Sequence, residues 1–235
     1  MTSLSKIKVY ATHPHSCSYL ENKEATTLFV DPNISVTSLL YSELADQGFR
    51  RSGEHIYRPH CEKCAACVPA RVPVNDFTRK RRFRRIWNRN QDLTVEKIDD
   101  IQTDQYYKLY ARYISEKHTD GDMYPPNREQ YDAFLTNQWG LTDFYCFKLE
   151  GQPIAVAVTD KMEQGLSAIY TFYDPSYKQR SLGVYAILWQ IALTQTLEQP
   201  YLYLGYWIKD SQKMNYKIDY RPLQLLLNGQ WLTLN

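Results

Sequence analysis

The chain has 235 residues, 43% apolar and 23% charged, which is ordinary for a globular protein long enough to bury a full core. No apolar run approaches the roughly 20 residues that span a bilayer, and the opening MTSLSKIKVYATHPHSCSYL lacks the apolar core and cleavage pattern of a signal peptide. The net charge of +2 conceals an asymmetry: residues 1–90 carry fifteen Lys and Arg against eight Asp and Glu, and residues 91–235 thirteen against eighteen, so a polyanion is expected to meet the first part. Five cysteines, three of them within seven residues, do not resemble a secreted disulfide framework, and a reducing cytoplasm with no membrane partner is expected.

Short extended pieces are predicted at Lys6 to Tyr10 and Thr26 to Val30. Val36, Leu39, Leu40 and Leu44 then recur at helical spacing, and Gly48 is placed to end that helix in a left-handed conformation. Phe49 to Arg58 reads as a hairpin turned at Ser52-Gly53. Cys61, Cys64 and Cys67 follow at C-x-x-C-x-x-C spacing, after which Pro69 and Pro73 hold the chain extended. Asp76 is the expected N-cap of a helix reaching about Asn90, with Phe83, Ile86 and Trp87 on its apolar face. From Thr78 to Asn90 this stretch has seven Lys or Arg in thirteen positions and no acid.

Residues 92–98 are expected as a strand. Thr103 opens a helix with Tyr106, Tyr107, Tyr110, Tyr113 and Ile114 on one face, and Asn127 opens another with Tyr131, Phe134 and Leu135 buried. Asp143 to Leu149, Pro153 to Met162 and Leu166 to Tyr173 form a predicted antiparallel meander, in which Cys146 faces the core. A helix over Leu182 to Leu197, a strand over Tyr201 to Gly205, a helix over Asp210 to Ile218 and a strand over Leu223 to Leu227, turned by Asn228-Gly229, complete the chain. The organisation expected is an α/β (α+β) protein with a smaller N-terminal lobe, residues 1–90, packed on a larger domain, residues 91–235.

The order meander, helix, strand, helix, strand is similar to that of the GNAT acyltransferase fold. Arg180-x-x-Gly183 stands where that fold carries its phosphate-binding loop, with Tyr185 in place of the final small residue. More specific wording surrounds it. SLGVYAILWQIAL, YLYLGYWIKDSQKMNYK and YRPLQLL, with GFRRSGEHIYRPHCEKCAACVPARVPV earlier, resemble the arginyl-tRNA–protein transferase family over nearly all of residues 10–235, most closely its short bacterial branch. That resemblance implies transfer of leucine from leucyl-tRNA to the α-amine of proteins beginning with Asp or Glu, which marks them for N-degron proteolysis. Arginyl-tRNA as donor is the alternative within the family. A coenzyme A-dependent acetyltransferase is disfavoured by the incomplete glycine motif, and a metal and RNA-binding module would leave the second half without a role.

Aminolysis of an activated ester asks for alignment, a deprotonated amine and a stabilised oxyanion rather than a protein nucleophile. Arg180, Ser181 and Gly183 are candidates for phosphate contacts of the tRNA 3′ end, although Gly183 is equally suited to close helix packing. Lys213, Tyr216 and Lys217, read as neighbours on one helix, are candidates for the acceptor stem or ribose. Arg79, Lys80 and Arg82 on the basic helix are candidates for the tRNA backbone. An acidic acceptor calls for an arginine, from Arg50, Arg51, Arg58 and Arg71, with Arg58 the first choice and only one of Arg50 and Arg51 able to face inward from a strand. Asp160, Asp174 and His118 are open alternatives for the base, and Tyr170 or Tyr173 for an apolar leucine slot. No cofactor is needed as reactant. Relatives in the arginyl branch use N-terminal cysteines for a cluster, so Cys17, Cys61, Cys64 and Cys67 form a candidate set for an iron–sulfur cluster or zinc, with Leu20 departing from the family's paired cysteines.

Overall fold

Period-two burial along the meander sets the layering. In the computed structural model, which describes residues 7–235, Ala155 and Ala157 face one apolar core while Val156 and Val158 face another. Residues 1–6, which include Lys6 and the start of the opening read for a leader, lie outside the described residues.

The chain first lays down β1 (Val9–Ala11), the small pair β2 (His15–Ser16) and β3 (Glu24–Ala25), and β4 (Thr27–Val30). Helix α1 (Ser38–Asp46) follows, capped by the Thr37 side chain accepting from the Leu40 amide, and stopped where Gly48 turns to φ +86°. The hairpin of β5 (Arg50–Ser52) and β6 (His55–Pro59) completes a four-stranded sheet ordered β1-β4-β6-β5.

Strand β7 (Val68–Pro73) then leaves this sheet for a larger one. Helix α2 (Arg81–Arg89) is followed by β8 (Thr94–Ile98), α3 (Asp104–Lys117) and α4 (Arg128–Leu135). The Asn127 side chain caps α4 by accepting from the Gln130 amide at 3.0 Å, the role expected of it. The meander is β9 (Thr142–Leu149), β10 (Gln152–Met162) and β11 (Gly165–Tyr173). Helix α5 (Leu182–Thr196), β12 (Tyr201–Trp207) and the hairpin β13 (Leu223–Leu227) and β14 (Gln230–Leu234) finish the fold.

The eight-stranded sheet runs β14-β13-β7-β12-β11-β10-β9-β8. Helices α2 and α5 cover one face, and α3 and α4 the other, giving the mixed α/β, GNAT-like order expected. Helix α5 is apolar nearly all round because it lies between the sheet and α2. No helix among the described residues is long and apolar enough to cross a membrane.

Three expectations are corrected. The division at residue 90 is crossed by one sheet: β7, from the cysteine-bearing segment, sits between β13 and β12, so residues 68–90 share the core of residues 91–235. Asp76 does not cap α2. It ends a short 3-10 turn over Val74–Asp76, buried Phe77 then holds the chain extended, and the helix starts at Arg81 with no side-chain cap. The helix expected over Asp210 to Ile218 is a 3-10 turn over Asn215–Asp219, which leaves Lys213 outside it.

Candidate active site

Strands β11 and β12 are parallel, but they pair only over Gly165–Ser167 and Tyr201–Tyr203. Gly165 makes that start possible: its φ is +151°, and a Cβ there would lie 2.0 Å from the Tyr201 carbonyl oxygen. Beyond it the strands diverge. A register shift in β10–β11 places Ile169 as the extra residue, and one in β12–β7 does the same for Leu204, beside Gly205 at φ +78°. The splay therefore has a bulge on each wall.

Aromatic rings line the β11 side of the cleft. Tyr170 meets Phe134 at 5.1 Å and Tyr113 at 6.4 Å between centroids, and Tyr113 meets Tyr173 at 4.8 Å. Burial pushes the Tyr170 phenol far up, helped only by the charges of other tyrosines; no carboxylate acts on it. His118, at the end of α3, packs its ring on Tyr113 at 4.9 Å, and burial followed by the charge of Lys213 lowers its pKa.

The two carboxylates considered as bases are occupied. Asp160 is fully buried and accepts from Arg51 Nε at 2.6 Å and Nη2 at 3.1 Å, from the Tyr41 hydroxyl at 2.9 Å and from the Thr142 hydroxyl at 2.6 Å. Asp174 caps the 3-10 turn Pro175–Arg180 by accepting from the Ser176 amide, and pairs with Arg112 at 2.8 Å. His118 keeps a half-buried imidazole near the cleft.

The candidate acceptor arginines fare differently from one another. Arg50 and Arg51 are both buried, because β5 is covered on both sides. Arg51 is neutralised by Asp160. Arg71 is saturated by Asp46 at 2.8 Å, Gln224 at 2.8 Å and the Tyr203 hydroxyl at 3.0 Å, and stacks on Tyr201. Arg58 is half-buried, donates to the Gln47 carbonyl at 3.0 Å and lies over the Phe49 ring. Arg50 keeps donors free. A surface hollow beside α4 is lined by Glu54, Asp122 and Asp132, the wrong sign for an acidic peptide.

Of the candidate tRNA contacts, Arg180 is held by a bidentate pair with Asp92, both distances 2.8 Å, and Lys213 is paired with Asp120 at 2.8 Å. Gly183 serves packing, since a Cβ would meet the Tyr173 ring at 3.2 Å. Ser181 precedes α5 in a left-handed conformation without capping it by its side chain. Arg82 pairs with Asp219 at 2.6 Å, Arg79 stacks on Trp87 at 3.8 Å and Lys80 is exposed. Arg81, Arg84 and Arg85 are exposed on α2 and form no ion pair among the described residues. Their contribution to the charge run was legible, but not their freedom. Tyr216 is 40% exposed, whereas Lys217 is 3% exposed and not a surface contact.

Cys17, Cys61, Cys64 and Cys67 are free, partly buried thiols. They converge closely enough for the other three to raise Cys67, which burial and those neighbours push up to about 12. Four soft donors suit zinc or an iron–sulfur cluster. Among the described residues, no three His, Cys, Asp or Glu form a group placed to hold a metal ion.

Two family models match the chain: "Arginine-tRNA-protein transferase, N terminus" over residues 15–85, and "Arginine-tRNA-protein transferase, C terminus" over residues 105–227. The chain belongs to the arginine-tRNA-protein transferase family. Within it, this member is 54% identical over 235 residues, 100% of both chains, to the aspartate/glutamate leucyltransferase of Pseudomonas fluorescens (strain Pf0-1). It is 53% identical over 234 residues, 99% of both chains, to that of Saccharophagus degradans (strain 2-40 / ATCC 43961 / DSM 17024). Among solved structures, FemX aligns with TM-score 0.49 at 8% identity, covering 89% of this family member and 82% of FemX. The L-PGS of Bacillus licheniformis aligns with TM-score 0.46 at 13% identity, covering 75% and 55%. At these scores the likenesses add nothing to the topology already described.

Proposed function

We infer that this protein transfers leucine from leucyl-tRNA to the N-terminal Asp or Glu of acceptor proteins, in a cytoplasmic pathway that marks those proteins for N-degron proteolysis. The full-length match to leucyltransferases supports the reaction and the donor, and the cluster of rings around Tyr170 is in keeping with an apolar side chain. A leucyl side chain is stabilised by apolar surface. An arginyl guanidinium buried there would need a carboxylate partner.

The acceptor's α-amine attacks the ester carbonyl of leucyl-tRNA, an amide C–N bond forms as the ester C–O bond breaks, and the tRNA 3′ oxygen leaves with the proton the amine gives up. Backbone N–H groups left unpaired where β11 and β12 separate would serve the transient oxyanion. His118, neutral through its lowered pKa, is our candidate to relay the proton. Arg79, Lys80, Arg81, Arg84 and Arg85 would track the tRNA backbone without reading sequence.

Labelled leucyl-tRNA and arginyl-tRNA, each offered with peptides beginning Asp, Glu, Arg or Ala, test this reading. Label should move from leucyl-tRNA alone, and to Asp and Glu alone. Transfer from arginyl-tRNA only, or to the Ala peptide, would overturn it.

A further inference from the structure

Two buried cations, Arg50 beside the rings of Tyr203 and Tyr206 and Lys217 on a turn tied to Trp207, both lie against β12 and form no ion pair among the described residues. Arg50 is 5% exposed, and its Nη1 donates to the carbonyls of Ala45 at 3.1 Å and Phe49 at 2.6 Å. Its Nε and Nη2 are buried and donate to nothing. Lys217 supplies the second charge from the turn Asn215–Asp219. Its ammonium has the Met214 sulfur at 3.4 Å and the Tyr216 ring at 4.9 Å as neighbours, and no acid.

The open atoms of Arg50 are informative. Nε and Nη2 are the edge of the guanidinium with which Arg51, the next residue, grips the two oxygens of Asp160. One strand thus carries two forks of the same kind, one filled by a carboxylate of this chain and the other empty. The rings of Tyr203 and Tyr206, 5.3 and 5.8 Å from Arg50 Cζ, are neighbours to a cation but not counter-ions. Burial and the Arg50 charge push the Lys217 amine down to about 7, the response of an ammonium that lacks an anion. An uncompensated buried charge costs several kcal/mol, and two together cost more. A carboxylate bound between them would meet a bidentate fork and an ammonium at once.

We propose that Arg50 and Lys217 together receive the side-chain carboxylate of the acceptor's first residue. This rests on the leucyl-transfer reading above. Lys217 follows Tyr216 on a turn tied to the end of β12 by the Trp207 indole, so the receptor lies against the strand that forms one wall of the cleft. Both cations are covered, so the turn bearing Lys217 lifts to admit a peptide. Its polar ties are the Trp207 indole donating to the Asn215 carbonyl at 3.2 Å and the exposed Arg82–Asp219 pair, while Ile218 and Tyr220, on either side of Asp219, anchor it in the core.

The test uses the full chain with Lys217→Met, Arg50→Met and Arg50→Lys. Steady-state transfer should show KM for Asp and Glu peptides raised at least about tenfold in the two methionine variants, with KM for leucyl-tRNA within about twofold. Arg50→Lys keeps a charge but loses the fork, and should fall between. Peptide KM unchanged in Lys217→Met, or leucyl-tRNA KM rising in step with it, would overturn the proposal. Thermal shift without tRNA supplies an arm independent of catalysis. A peptide beginning with Asp should raise the wild-type Tm, one beginning with Ala should not, and Lys217→Met should abolish the difference. If Arg50→Met does not fold, Lys217→Met decides. Wild-type protein that binds Asp peptides yet transfers no leucine would sink the leucyl reading and spare the receptor. Leucine transfer with unchanged peptide KM in the variants would do the reverse.

Discussion

Arg50 and Arg51 are adjacent residues of one type on one strand, and both are buried, yet their electrostatic situations are opposite. Arg51 closes a bidentate pair with Asp160, to which Tyr41 and Thr142 also donate, and this network ties the N-terminal hairpin to the meander. Arg50 has its fork open and forms no ion pair among the described residues. Burial alone therefore does not distinguish a residue that holds the protein together from one reserved for a ligand. What distinguishes them is whether the chain supplies the counter-charge.

The largest effect should come from breaking the filled fork. Asp160→Asn leaves Arg51 buried without an anion and should cost about 3–5 kcal/mol, read by urea denaturation. Peptide KM measured on the folded fraction should barely change. A loss under about 1 kcal/mol, or a selective loss of acidic-peptide use, would erase the distinction between the two arginines.

Emptying the other side should act with the opposite sign. Lys217 binds fewer protons folded than unfolded between about 7 and its ordinary value of 10.5. Its penalty on stability is therefore full below pH 7 and fades as pH rises toward 10.5. Lys217→Met should be more stable than wild type at about pH 6.5 by an amount on the order of a few kcal/mol, with the gain shrinking by about pH 9.5. Denaturation curves at several pH values check this, and a variant destabilised at the lower pH would show that the lysine already has a partner.

Smaller still is the effect of surface charge. Replacing Arg81, Arg84 and Arg85 by Gln should leave stability within about 0.5 kcal/mol, but flatten the salt dependence of tRNA binding by roughly 0.7–0.9 in slope for each phosphate no longer neutralised. Acidic-peptide thermal shifts should be untouched. Last, Arg82→Ala removes an exposed pair with Asp219 and should cost at most about 1 kcal/mol in a denaturation experiment.

The regular elements were largely legible because periodicity and caps act locally. The meander, Thr103 and Asn127 as helix starts and Gly48 as a helix end all follow from neighbours within a few residues. What could not be read locally depends on distant packing. Asp76 looks like a cap, but Phe77 is drawn into the core and delays the helix to Arg81. Lys213, Tyr216 and Lys217 look like one helical face, but the chain turns in 3-10 form, pairing Lys213 with Asp120 and burying Lys217. The alternation rule places one of Arg50 and Arg51 outside, and fails because both sides of β5 are covered. The partner that separates them, Asp160, lies 109 residues from Arg51. No local pattern announces the open fork.

The place of β7 sets an order of events for the newborn chain. This strand is made early, yet its neighbours are β12 and β13, whose residues pair with it from more than a hundred positions later, as Tyr203 and Gln224 do with Arg71. Pairings so distant in sequence must wait for loop closure, and make folding slow. While ribosomes are still adding the last fifth of the protein, Ala70 and Val72, both fully buried in the finished sheet, have no strands to receive them. Strand β7 therefore stays available to chaperones until synthesis is nearly complete.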